Sequence, residues 1–73
     1  MDIVNIDTEY IRLDQLLKWA GIAVSGSDAK YLIQNDMVSV NNIIVRERGK
    51  KVFPGDHVSI EMDDKITFIV EKN

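Results

Sequence analysis

Seventy-three residues, 45% of them hydrophobic and 29% charged, describe one small globular domain spanning residues 1–73. That composition excludes a disordered tail, and the length leaves no room for a second domain behind a deep enzyme cleft. The absence of Cys excludes disulfides, thiolate metal sites and cysteine nucleophiles together, and one His cannot build a His cluster, so no cofactor or metal is expected.

Net charge is −3, but it is unevenly spread. Residues 1–11 carry three acids and no base, residues 12–51 seven bases against four acids, and residues 52–73 two bases against five acids. A phosphate backbone responds to the local patch and not only to the total, so the basic middle keeps nucleic acid open as a partner. No apolar run approaches the ~18 residues of a membrane span. The start Met1-Asp2-Ile3-Val4-Asn5 lacks the basic and apolar stretches of a signal peptide. A cytoplasmic protein is expected, with no membrane partner.

In chain order, residues 3–6 leave room for a short edge strand. Residues 13–20 predict a helix: Leu13, Leu16, Leu17 and Ala20 fall at i, i+3, i+4, i+7. Asp14 and Lys18 are expected on its outer side as an i,i+4 pair, and Gly21 as its stop. Arg12 is a poor N-cap. Residues 25–36 predict a second helix, opened by Ser25 with Asp28 three residues on, a variant capping box. Ala29, Leu32 and Ile33 form its buried stripe, and Asn35-Asp36 can take the left-handed turn that ends it.

The period then changes to two. Residues 37–40 and 43–46 flank Asn41-Asn42, which suits a tight hairpin with Val40 opposite Ile43 and Val38 opposite Val45, all four on one face. Residues 46–51 form a basic loop, and residues 53–56 a turn with Pro and Gly at its centre. Residues 57–62 and 66–70 predict a second hairpin. A three-residue loop of 63–65 sets Met62 against Ile66, Ile60 against Phe68 and Val58 against Val70. The fold class is therefore α+β: two packed helices in a helix–turn–helix-like arrangement, then a small, mostly antiparallel sheet of two hairpins.

Short segments along the chain resemble a known family. Residues 12–19 (RLDQLLKW), 25–30 (SGSDAK), 32–33 (LI), 38–42 (VSVNN) and 46–52 (RERGKKV), with Gly55-Asp56-His57-Val58, are similar to the RNA-binding domain named after ribosomal small-subunit protein four. They look most like its small stand-alone bacterial form, the YaaA type. The likeness runs from about residue 10 to 60. It implies a non-catalytic module that grips structured RNA, ribosomal RNA first and transfer RNA second, as a monomeric accessory or assembly factor of the ribosome that also meets ribosomal proteins. Carried over by position, the implied RNA contacts are Arg12 and Lys18 on the first helix, and Ser25, Ser27 and Lys30 at the second. Asn41 follows at the hairpin tip, with Arg46, Arg48, Lys50 and Lys51 in the basic loop. Many relatives have Gly where this chain has Asp36 and Asn42, and Asp36 brings an acid near the implied RNA face.

The remaining candidates have plainer readings. Ser25 reads first as a helix cap, although the first N–H groups of a helix also suit a phosphate. Trp19 and Tyr31 read as aromatics at the core margin before base-stacking platforms. Phe53 and Phe68 read as core, and His57 as a surface residue without a nucleophile or an orienting partner. Asp63-Asp64 is a turn rather than a calcium loop.

Two other functions compete. The acids Asp2, Asp7, Glu9, Glu61, Asp63, Asp64 and Glu71 suit a protein-interaction module of the same fold, with weak or lost RNA binding, that binds a basic protein partner. A ubiquitin-like sulfur carrier is rejected, because the chain ends Glu71-Lys72-Asn73 rather than Gly-Gly.

Overall fold

Leu13, Leu16 and Leu17 are fully buried on α1 (Leu13–Trp19), as their spacing requires. The protein is described here by a computed structural model covering residues 2–73. Arg12 stands at the N-cap with extended backbone and makes no side-chain cap. The open N–H groups are satisfied from a distance instead: Leu13 donates to the Lys50 carbonyl at 2.8 Å and Asp14 to the Arg48 carbonyl at 3.0 Å. One expectation fails in this helix. Asp14 is not an outer-face partner of Lys18. It is buried and pairs with Arg12, because the first turn of α1 lies under the 48–50 backbone. Gly21, at φ 77°, takes the left-handed conformation just past the helix end.

α2 (Gly26–Gln34) packs on α1 through Ala29, Leu32 and Ile33. Ser25 Oγ accepts the Asp28 N–H at 3.2 Å. The Asp28 carboxylate accepts the Val24 N–H at 3.1 Å, so the return arm of the box reaches one residue further back than usual. Asp36 ends the helix at φ 61°.

The strands are β1 (Asp2–Ile6), β2 (Ile11–Arg12), β3 (Val38–Val40), β4 (Ile43–Ile44), β5 (Lys51–Val52), β6 (His57–Glu61) and β7 (Lys65–Lys72). Five of them form one sheet in the order β1-β7-β6-β3-β4. The two expected hairpins are present, and so is the N-terminal edge strand. That strand runs parallel to β7, with Asp2 beside Phe68 and Ile6 beside Lys72, so the sheet is mixed. Asn41 and Asn42, at φ 53° and 69°, make the tight turn and set Val40 opposite Ile43.

Three further readings are corrected. In the second hairpin Ile60 faces Ile66 and Val58 faces Phe68, two residues out of the expected register, and the three-residue loop is 62–64. A shift of two keeps every side chain on its face, so the alternation of apolar residues cannot tell the two registers apart. Ile43 is exposed although Val38 and Val40 are buried, because β4 is a sheet edge. Phe53 is 48% exposed, whereas Phe68 is 2% exposed.

The pairing of β2 with β5, Ile11 to Val52 and Arg12 to Lys51, has no counterpart in the apolar periodicity. Two-residue strands are too short to show one. This ribbon pins the basic loop to the start of α1. Val52 is fully buried, and Ile11 packs against the same core as the helices. Among the described residues, no helix is long and apolar enough to cross a membrane.

Candidate nucleic-acid interface

The β2–β5 ribbon alternates. Ile11 and Val52 face the core, so Arg12 and Lys51, direct partners in the register, face outward together. The preceding residues of the loop give their carbonyls to α1 and leave their side chains exposed. Arg12, Arg48, Lys50 and Lys51 are thereby gathered at the start of α1. Gly49 runs beside the Arg12 guanidinium, with the place a Cβ would take 3.9 Å from Nη2. The basic loop is fixed both by its backbone bonds to α1 and by the pairing of β5, which lowers the backbone entropy lost on binding.

Carboxylates are interleaved with two of the predicted bases. Asp14 holds Arg12 at 3.0 Å while also accepting the Gln15 N–H at 2.8 Å. Guanidinium carries five N–H donors, so Arg12 keeps others for a phosphate. Asp36 takes Arg46 through both Nε and Nη2. The hydrogen bond from Arg46 holds the Asp36 carboxyl below its ordinary value and raises Arg46 above its own. The pair sits at the base of the first hairpin, where Val45 bonds to Val38, at the opposite end from the Asn41-Asn42 turn.

Asn41 is at the tip as expected, but its side chain is committed. Its Nδ2 donates to Asp56 at 3.1 Å and its Oδ1 accepts the His57 N–H at 2.9 Å, tying the tip to the 53–56 turn. Two bases and one acid lie close by: Lys50, Lys51 and Asp56 line one hollow with Asn41, Phe53 and the apolar Val40, Ile43 and Val45.

The helical candidates sit on α1 and at the start of α2. Ser25 serves as the α2 cap. Ser27, Lys18 and Lys30 are on the helices, Ser27 and Lys18 exposed and Lys30 likewise, and no hydrogen bond or ion pair among the described residues ties them to the loop. Trp19 and Tyr31 are exposed rather than half-buried, at 59% and 61%; Trp19 is anchored by its Nε1–H to the Asn5 carbonyl at 2.7 Å. Sequence reasoning missed Tyr10. Its ring lies 5.7 Å from that of Phe53, and Lys51 Nζ sits 4.9 Å from its centroid. Its place two residues before Arg12 was the available signal, legible only once β2 is known. Among the described residues no group of three or more His, Asp or Glu is arranged to hold a metal.

Two helices on a small sheet, with a basic loop clamped to the first helix, define the class. The S4 domain model matches residues 4–69, and the chain belongs to that family. The resemblance carried by those short segments is thus confirmed. Among known proteins, the probable ribosome maturation protein RlbA of Bacillus subtilis is 43% identical over 58 residues, which cover 80% of this chain and 82% of that protein. The ribosomal large subunit pseudouridine synthase D of Haemophilus ducreyi is 39% identical over 67 residues, 89% of this chain but 21% of the enzyme, so the chain matches about a fifth of its length.

Proposed function

We propose that this protein is a non-catalytic module that binds structured ribosomal RNA and serves in ribosome maturation in the cytoplasm. The observation that carries this reading is the grouping of Arg12, Arg48, Lys50 and Lys51 around the start of α1 in a chain of net charge −3. The family and the printed name of the small Bacillus relative support the ribosome as the place of action, and the pseudouridine synthase carries a similar segment as a minor part of an enzyme. Recognition rests on shape and phosphate contact, since the cluster offers cations rather than a set of base-reading amides.

The acids of the β6–β7 hairpin support this division of the surface. Glu61, Asp63 and Asp64 surround a shallow hollow with Met37, Met62 and Ile66. That hollow lies at the Met37–Glu61 end of the β3–β6 pair, whereas Asn41 and His57 mark the other end, roughly 13 Å away at ~3.3 Å per residue. The acidic end favours a second reading, a contact with a basic protein such as a ribosomal one, which can act alongside the first.

Filter binding with ribosomal RNA tests the proposal. Four neutralised phosphates give a slope of log affinity against log salt of roughly −3 to −4. Failure to bind at ~50 mM salt, where the phosphate contribution is strongest, refutes RNA binding and leaves the protein-contact reading.

A further inference from the structure

We infer that the outer face of the β2–β5 ribbon is a stacking site for one unpaired nucleotide of the RNA, with the Phe53 ring taking the base and Lys51 and Arg12 its phosphates. This deepens the proposed function and rests on it.

The register carries the argument. Ile11 pairs with Val52 and Arg12 with Lys51, so Tyr10 and Phe53 are the next pair along. Their rings, 5.7 Å apart, bear this out. Side chains alternate across a strand, so Tyr10 and Arg12 share a face with Lys51 and Phe53, while Ile11 and Val52 point to the core. The outward face of a two-residue ribbon therefore holds two aromatics and two cations, all four exposed. Nothing in the core requires rings there, because Val52 and Ile11 already close it.

The geometry assigns the roles. The Lys51 ammonium stands over the Tyr10 ring at 4.9 Å, so that face is covered. Tyr10 is tilted 46° to Phe53 and walls its side. Phe53 is 48% exposed and borders the hollow that Lys50, Lys51 and Asp56 also line. A base bound there would turn its own phosphate toward Lys51 and the neighbouring phosphate toward Arg12, the register partner of Lys51. Stacking of this kind tolerates any base, since each has a π-face, and it demands a nucleotide free of its helix.

The test compares two RNAs: a hairpin with an adenine-rich loop carrying one fluorescent aminopurine, and a blunt duplex of the same stem. Binding is read by anisotropy at low salt, with urea unfolding of each variant as the check on folding. Phe53→Leu and Tyr10→Leu keep an apolar side chain and remove the ring. Each is expected to weaken hairpin binding roughly tenfold. In Phe53→Leu duplex affinity and the salt slope stay unchanged, and the change in aminopurine fluorescence that the wild type causes on binding is lost. Hairpin binding unaltered in both variants overturns the stacking site and leaves the RNA reading standing. So does an equal loss on hairpin and duplex. Wild-type binding to neither RNA overturns the RNA reading and the stacking site together.

Discussion

Arg12 and Asp14 form an ion pair of 3.0 Å across a single intervening residue, and the carboxylate is buried while the guanidinium stays half in solvent. The acid therefore aims the base. Asp14 also accepts the Gln15 N–H, and its own N–H is bonded to the Arg48 carbonyl, so one residue joins the helix start, the loop and the outward cation. Replacing it by Ala strands the Gln15 N–H and frees Arg12. Asp14→Ala is expected to cost ~1–3 kcal/mol and Asp14→Asn, which retains an acceptor, ~1 kcal/mol or less. Urea unfolding midpoints measure both. Equal stability of Asp14→Ala and the wild type would show that the carboxylate anchors nothing.

The second pair works differently. Asp36 and Arg46 are both exposed, so their contribution is small, but it has a definite sign. The Arg46 hydrogen bond lowers the Asp36 carboxyl below its ordinary 3.8, so the stabilisation is complete above that value and fades as pH falls through the lowered one. Asp36→Asn removes the charge while keeping a residue type that tolerates φ 61°. The stability gap between wild type and Asp36→Asn is expected to hold constant at neutral pH and to close in acid. The same substitution releases Arg46, so RNA affinity at low salt is expected to rise several-fold. Thermal melts across pH and RNA titrations at neutral pH check the two halves separately. An unaltered RNA affinity would mean that Arg46 faces away from the RNA.

Arg48 and Lys51 hold their places through backbone bonds, so their side chains can be changed without disturbing those bonds. The double change Arg48→Glu with Lys51→Glu is expected to weaken RNA binding strongly at low salt and to reduce the magnitude of the salt slope by about 2, close to 0.9 per lost phosphate. The melting temperature is expected to move little, since both side chains are exposed. A slope equal to that of the wild type would remove the loop from the interface.

The helices were legible because burial follows the 3.6-residue period closely: Leu13, Leu16 and Leu17 on one, Ala29, Leu32 and Ile33 on the other. The Asn41-Asn42 turn was legible because few residues accept two successive positive φ angles. What stayed hidden depends on partners distant in sequence. No local pattern says that residues 11–12 pair with 51–52, nor that Arg48 and Lys50 cap a helix more than thirty positions earlier. The basic cluster was foreseen as a list of residues, of which the structure gathers Arg12, Arg48, Lys50 and Lys51, holds Arg46 on Asp36 and commits Asn41 to the 53–56 turn. Tyr10 was hard to read as a site residue because its contacts with Lys51 and Phe53 depend on the ribbon, which pairs residues distant in sequence.

The two phenylalanines carry the same lesson into a measurement. Each stands in an apolar-looking stretch, Phe53 after Val52 and Phe68 before Ile69, and both read as core. Phe68 is buried on β7, an inner strand of the sheet, opposite Val58, whereas Phe53 lies beyond the last paired residue of β5 with its ring against Tyr10. Phe68→Ala is expected to cost ~3–5 kcal/mol, the transfer loss plus the cavity left behind. A domain of this size has roughly 4–11 kcal/mol in all, so that variant is largely or wholly unfolded at moderate urea. Phe53→Ala is expected to cost ~1 kcal/mol, because half of the ring is already in water. Equilibrium urea melts of the two variants separate them directly, and a loss at Phe53 as large as that at Phe68 would place that ring inside the core and close the face on which a base can stack.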